Sequence, residues 1–176
     1  MLTGPAEGAN IEIERVQHMD RAITQLSDLL RRVVEAGASV GFLPGLSDEK
    51  ANAYWNSVLS PDVHLLIASR ADTIVGTVQI QFCTKANGIH RVEIAKLMTH
   101  PDFRRLGIAR ALMCQAETMA RQYDKRLIVL DTRAGDSSNI LYRSLGYEQV
   151  GVIPQYAMSA NGLDATVIYY KLLAET

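Results

Sequence analysis

The sequence predicts an α/β fold in which one mixed sheet is flanked by helices. Three observations point there. Short alternating or continuous apolar segments interleave with segments of helical period. The run RLIVL, residues 126–130, is apolar without alternation, the pattern of a strand covered on both faces. The stretch from Val92 to Tyr123 passes from a strand through a short basic, glycine-bearing loop almost directly into a long amphipathic helix.

The elements follow in order. IEIERV, from Ile11 to Val16, alternates as a short strand. Asp20 is placed to cap a helix whose apolar stripe is Ile23, Leu26, Leu29, Leu30, Val33 and Val34, stopped by Gly37. GASVGFLPG is a loop with three glycines and a proline. Ser47 opens a second helix as half a capping box, with Lys50 where Glu would be better, and that helix carries Ala51, Tyr54, Trp55 and Val58. Val63 to Ser69 and Thr73 to Cys83 are strands joined by a tight turn at Ala71-Asp72. Asn87-Gly88 turns the chain into a strand from Arg91 to Thr99. A helix from about Gly107 to Tyr123 buries Ala109, Leu112, Met113, Ala116, Met119 and Ala120, with Cys114 expected as a small buried hydrophobe beside them. After the strand RLIVL comes a short helix from Ser137 to Leu145, closed by Gly146. Tyr147 to Val152 and Ala165 to Leu172 are the last strands, with Pro154 to Asp164 as a loop between them. The order is β-α-α-β-β-β-α-β-α-β-β, without repeats or low-complexity tracts.

The 176 residues suffice for one domain burying roughly 70% of its unfolded surface; residues 1–10 read as a loose tail and 11–176 as a single domain. A net charge of -1 gives no electrostatic footprint for nucleic acid or a membrane surface. No apolar run approaches the ~20 residues of a bilayer span, and MLTGPAEGAN lacks a signal-peptide core. Two distant cysteines, Cys83 and Cys114, with no CxxC and no histidine pair at ligand spacing, fit a reduced cytoplasmic setting and supply no metal site.

The loop Arg104-Arg105-Leu106-Gly107-Ile108-Ala109-Arg110 gathers free backbone N–H groups, a helix N-terminus and three arginines, which together suit a pyrophosphate. It is neither GxxxxGK[ST] nor GxGxxG. What is present is R-x-x-G-x-A, with Arg104, Gly107 and Ala109; taken alone, it also fits a plain structural turn. Gly107 permits positive φ and close approach of a ligand to the backbone.

That segment resembles motif A of the GNAT superfamily of acyl-CoA N-acyltransferases, Q/R-x-x-G-x-G/A, and SNILYRSLGYEQVG (138–151) looks like the family's A-x-x-L-Y-x-x-x-G-F/Y motif. The likeness covers Ile11 to Leu173. Gly135 stands where the family commonly has Asn, Ser138 where it has Ala, and Ala109 for the last glycine. The resemblance implies a mixed, mostly antiparallel seven-stranded sheet with about four helices, whose central strands, 92–99 and 126–130, splay through a bulge. It implies acetyl-CoA as cofactor, its pantetheine arm on the backbone of Leu97, Met98 and Thr99 and its pyrophosphate on Arg104 to Arg110. GASVGF, KANGIHRVEIAKLM, LDTRAG and TVIYYK are similar to the tabtoxin-resistance branch of these acetyltransferases, which implies a small amino-acid-like acceptor.

Acetyl transfer to an amine needs a proton acceptor, since such amines have pKa ~10.4, and a thiolate of pKa ~8.5 leaves fairly easily. Glu93, eleven residues before Arg104, is similar in spacing to the glutamate base of the family's histone-acetyltransferase branch and is expected to be partly buried with a raised pKa; the alternative is an edge carboxylate paired with Arg91, Lys96 or Arg133. Asp131 ends the apolar run at the carboxyl end of a strand, as a base, an amine-binding group or a cap of the following loop. Tyr142 matches the family's tyrosine acid, with packing between helix and sheet as the alternative, and Asn139, one turn earlier, is placed to touch the cofactor. Lys96, interrupting an apolar run, either reaches solvent or pairs with Glu93, and Phe42, Trp55, Tyr156 and Met158 are pocket candidates, with packing as the alternative for each aromatic and the preferred reading for Trp55. The reading is direct attack of a small primary amine on acetyl-CoA in a ternary complex, by a monomer or homodimer. The alternatives are a protein lysine or N-terminal acetyltransferase and a non-catalytic acyl-CoA sensor.

Overall fold

The computed structural model describes residues 10–174; the expected tail therefore lies, apart from Asn10, outside the described residues. The elements are β1 (Glu12–Arg15), α1 (Ile23–Glu35), α2 (Asp48–Val58), β2 (Val63–Arg70), β3 (Thr73–Phe82), β4 (Arg91–Thr99), α3 (Ile108–Gln122), β5 (Leu127–Arg133), α4 (Ser138–Ser144), β6 (Glu148–Ser159) and β7 (Gly162–Leu172), with single 3-10 turns at Ala86–Gly88 and Pro101–Phe103. They form a seven-stranded sheet in the order β1-β2-β3-β4-β5-β7-β6. Every pairing is antiparallel except β4 with β5.

The inner strands are apolar on both faces, and their alternation separates two cores. Along β2, Leu66 and Ala68 join α3 and α4 on one face, while Leu65 and Ile67 join α1 and α2 on the other. The first face holds Ile108, Leu112, Met113, Ala116 and Tyr142; the second holds Leu26, Leu29, Leu30, Val33 and Trp55.

Ser47 caps α2 through its side chain, which accepts from the Lys50 amide, as expected. The expected Asp20 cap does not form: Ala22 occupies the N-cap of α1 with no side-chain bond. Cys114 is exposed rather than buried. The largest departure is the expected loop 154–164. β6 runs on to Ser159 and β7 starts at Gly162, so the segment is mostly hairpin. Pro154 is tolerated because β6 is an edge strand, where a missing N–H costs little. Gln155, at φ 53, absorbs the register shift between Ile153 and Ala157.

Candidate active site

The parallel pairing of β4 with β5 lasts for three residues, ending at Glu93 opposite Val129. Beyond it the strands part, while β5 stays paired with β7 up to Arg133. The cause is a bulge in β4. Thr77 pairs with Met98 but Gln79 with Ala95, so β4 carries one extra residue there, and Lys96 takes φ 51. A gap with one unpaired strand edge on each side results. The His100 amide donates to the Val75 carbonyl at 2.8 Å. By antiparallel alternation, Thr99 turns its amide groups toward the gap and Met98 turns its own to β3, while Leu97 lies inside the bulge, where the alternation is interrupted. Of the three residues expected along the pantetheine arm, Thr99 therefore offers free backbone on the gap side. Met98 does not, and its side chain is core.

At the C-terminal end of β4 the chain enters the basic loop. Arg104, Arg105, Leu106 and Gly107 are exposed. Gly107 is left-handed at φ 80, and a Cβ built on it meets nothing within 4 Å. Ile108, 1% exposed, pins the start of α3 in the core. The first backbone bond of the helix runs from the Ala111 amide to the Gly107 carbonyl at 3.0 Å, so the amides from Gly107 to Arg110 have no helical acceptor. Arg110 donates to Ser144 Oγ at 2.6 Å, tying α3 to α4. Open space, free amides and positive charge make a cradle that fits a diphosphate.

The bulge also decides which side chains meet. Ile94 lies in the α3 core and Met98 in the α1–α2 core, although four residues of regular strand would keep them on one face. The extra residue turns Lys96 to the α1–α2 face. Glu93 is on that face, since Val92 and Ile94 point the other way, and so is Asp131, next to inward-facing Leu130.

Glu93 is exposed rather than partly buried, and it makes no hydrogen bond or ion pair among the described residues. Asp131 does not cap its loop; Thr166 Oγ1 on β7 donates to its Oδ2 at 2.9 Å. Lys96 forms no ion pair with Glu93. Its Nζ lies 5.9 Å from the Phe42 ring centre and 5.8 Å from that of Tyr54. Burial lowers the Lys96 pKa, against the pull of Asp131 and Glu93.

Tyr142, across the sheet on α4, is 5% exposed. Burial, and secondarily Asp131, pushes its pKa up from the usual phenol range. Its hydroxyl has no hydrogen bond among the described residues, so it is free to donate. Asn139 is committed elsewhere: it donates to the carbonyls of Arg133 and Asp136 at 2.9 Å each and accepts from Tyr169 at 3.0 Å. Its observed task is to fix the β5–α4 connection. Arg133 reaches from β5 to the Gly37 carbonyl at 2.8 Å and to Asp164 at 3.4 Å, binding the α1–α2 loop and β7 to the same end of the sheet.

Trp55 is fully buried packing, whereas Phe42 lies at the cleft and Tyr156 and Met158 are exposed on the β6 edge. Tyr54 was missed. In the sequence it is one more apolar residue of α2, but its ring lies beside Lys96 and its hydroxyl accepts from Gln79 at 2.7 Å. A separate polar groove of about 640 Å³ between α1 and α2 is lined by Gln25, Asp28, Arg31, Asp48 and Asn52, and none of Glu93, Asp131 and Tyr142 borders it.

Residues 28–147 match the acetyltransferase (GNAT) family. The chain belongs to it. The GNAT fold extends over nearly the whole chain in solved structures. A ribosomal-protein-alanine N-acetyltransferase from Brucella melitensis has 20% identity and TM-score 0.76, over 92% of this chain and 99% of its own. An N-acetyltransferase from Staphylococcus aureus Mu50 has 14% identity and TM-score 0.80, over 94% and 100%. A Salmonella typhimurium protein solved with its cofactor acetyl-CoA has 16% identity and TM-score 0.77, over 96% of each chain. The GNAT chain described here is thus an acetyl-CoA-dependent acyltransferase. Among its described residues no helix is long and apolar enough to cross a membrane.

Proposed function

We propose that this GNAT enzyme acetylates the primary amine of a small, amino-acid-like metabolite or toxin by direct attack in a ternary complex. The observation that carries the reading is the convergence of Glu93 and Asp131 on one face at the point where β4 and β5 part. The four segments similar to the tabtoxin-resistance branch support a small acceptor.

When bound, acetyl-CoA supplies an acetyl group activated as a thioester. Leu97 and Thr99 line the pantetheine arm with their amide groups, and the amides and arginines from Arg104 to Arg110 hold the diphosphate. Asp131, steadied by Thr166, binds the acceptor's ammonium. Glu93 takes its proton directly or through water, which its exposure permits. Tyr142, kept protonated by burial, donates a hydrogen bond to the departing sulfur. A thiolate of pKa ~8.5 needs no more than that, so positioning carries most of the rate.

The test is initial-rate release of free thiol from acetyl-CoA with a panel of small amines and of peptides. Turnover of small amines is the expected result. Turnover of peptides alone would replace the reading with a protein acetyltransferase, and tight acetyl-CoA binding without turnover would replace it with a sensor.

A further inference from the structure

Lys96 has an arrangement that neither the cofactor nor the proton transfer explains. A bulge with a left-handed, non-glycine residue turns it onto the acceptor face. Its ammonium faces a pair of edge-packed aromatic rings on one side, 5.9 Å from Phe42 and 5.8 Å from Tyr54, and the backbone of Gly41, where an added Cβ would come within 3.2 Å of Nζ. Among the described residues no carboxylate lies within 4 Å of it and nothing accepts its protons. Partly buried ammonium groups ordinarily have such partners, because an unpaired charge away from water is costly. Two carboxylates, Glu93 and Asp131, share the face and attract it from farther off.

The cleft thus has one cation on its α1–α2 side and two anions toward the strand gap. A zwitterion whose amine points to the gap and whose carboxylate points to the α1–α2 loop matches both. A simple monoamine leaves the lysine unanswered, and a diamine meets repulsion there.

Resting on the function proposed above, we propose that Lys96 is the residue that selects the acceptor, its ammonium binding the acceptor's free carboxylate while the amine to be acetylated lies by Asp131 and Glu93. The acceptor class is then an amino acid with a free carboxylate. The carboxylate supplies what the lysine lacks, a charged hydrogen-bond acceptor, and Phe42 and Tyr54 exclude water from the pair.

The experiment compares, at saturating acetyl-CoA, each L-amino acid that is turned over with its carboxamide and its decarboxylated amine. Wild-type enzyme is expected to favour the carboxylate by about 10- to 100-fold in kcat/KM, the value of one charged hydrogen bond, chiefly through KM. Lys96→Met should erase that preference, and Lys96→Arg should restore part of it. Wild-type enzyme that treats acid and carboxamide alike overturns the proposal, even if the variants do not fold. So does a Lys96→Met enzyme that keeps the preference or that loses kcat equally on all acceptors. Acetylation of small amines without regard to the carboxylate removes the role of Lys96 and leaves the proposed function standing. Acetylation of peptides with no small amine accepted removes both.

Discussion

The two sides of the opening between β4 and β5 are built on different principles. The proposed cofactor side is backbone: the β4 edge that leads to Thr99, then the amides that α3 cannot satisfy, around an open Gly107. The proposed acceptor side is side chains from four separate places: Phe42 from the α1–α2 loop, Tyr54 from α2, Glu93 and Lys96 from β4, and Asp131 from β5. Backbone recognition tolerates many sequences, because every residue has the same amide. Side-chain recognition changes with single substitutions. A scaffold can therefore keep its cofactor while its acceptor varies.

Substitutions on the two sides should separate accordingly. The largest effect is expected for Gly107→Val, which should raise the Kd for acetyl-CoA by about 100-fold or more in calorimetry, since a β-branched residue resists φ 80 and its methyls enter the anion's place. Retained affinity would mean that side chains, not amides, hold the diphosphate. Glu93→Gln comes next: turnover should fall by ~10²-fold with cofactor Kd unchanged within about twofold. If turnover hardly moves, Asp131 or solvent is the base.

Tyr142→Phe should cost about tenfold in kcat, less than the base, because the thiolate leaves without full protonation. Since burial first and Asp131 second raise its pKa, the phenol stays protonated, and kcat of the wild-type enzyme should show no loss from its ionisation up to about pH 10. The smallest effect is on stability. Burial lowers the Lys96 pKa, so the folded protein holds this proton less tightly than the unfolded chain and the charge opposes folding at neutral pH. Lys96→Met should raise the melting temperature at pH 7, and the difference should shrink as the pH rises through the lowered Lys96 pKa. A lower melting temperature would show Lys96 to be a structural support rather than a charge kept for a ligand.

The same contrast explains what the sequence disclosed. The cofactor loop is contiguous, and Arg104, Gly107 and Ala109 follow a strand and precede a helix, so neighbours in sequence are neighbours in space. Glu93, Asp131 and Tyr142 were legible as chemistry, but their surroundings were not. The exposure of Glu93 and the Thr166 partner of Asp131 depend on strands far apart in the chain. Asn139 has the type and position of a ligand contact, but the bonds its amide makes to the turn beneath it have no mark in the sequence. The bulge at Lys96 has no mark in VEIAKLM. Only the arrival of Ile94 and Met98 in different cores reveals that the strand has turned over. The edge hairpin was misread because Pro154 argues against a strand only where its missing N–H would be needed.

Residue-resolved amide hydrogen exchange, with and without acetyl-CoA, tests most directly the claim that exposed backbone in the splayed sheet receives the cofactor. The amides of Leu97 and Thr99 and those from Gly107 to Arg110 should slow on binding, while those of Met98 and His100, already turned to β3, stay as they were. Cofactor binding that leaves Leu97 and Thr99 unchanged and protects another surface instead would contradict it.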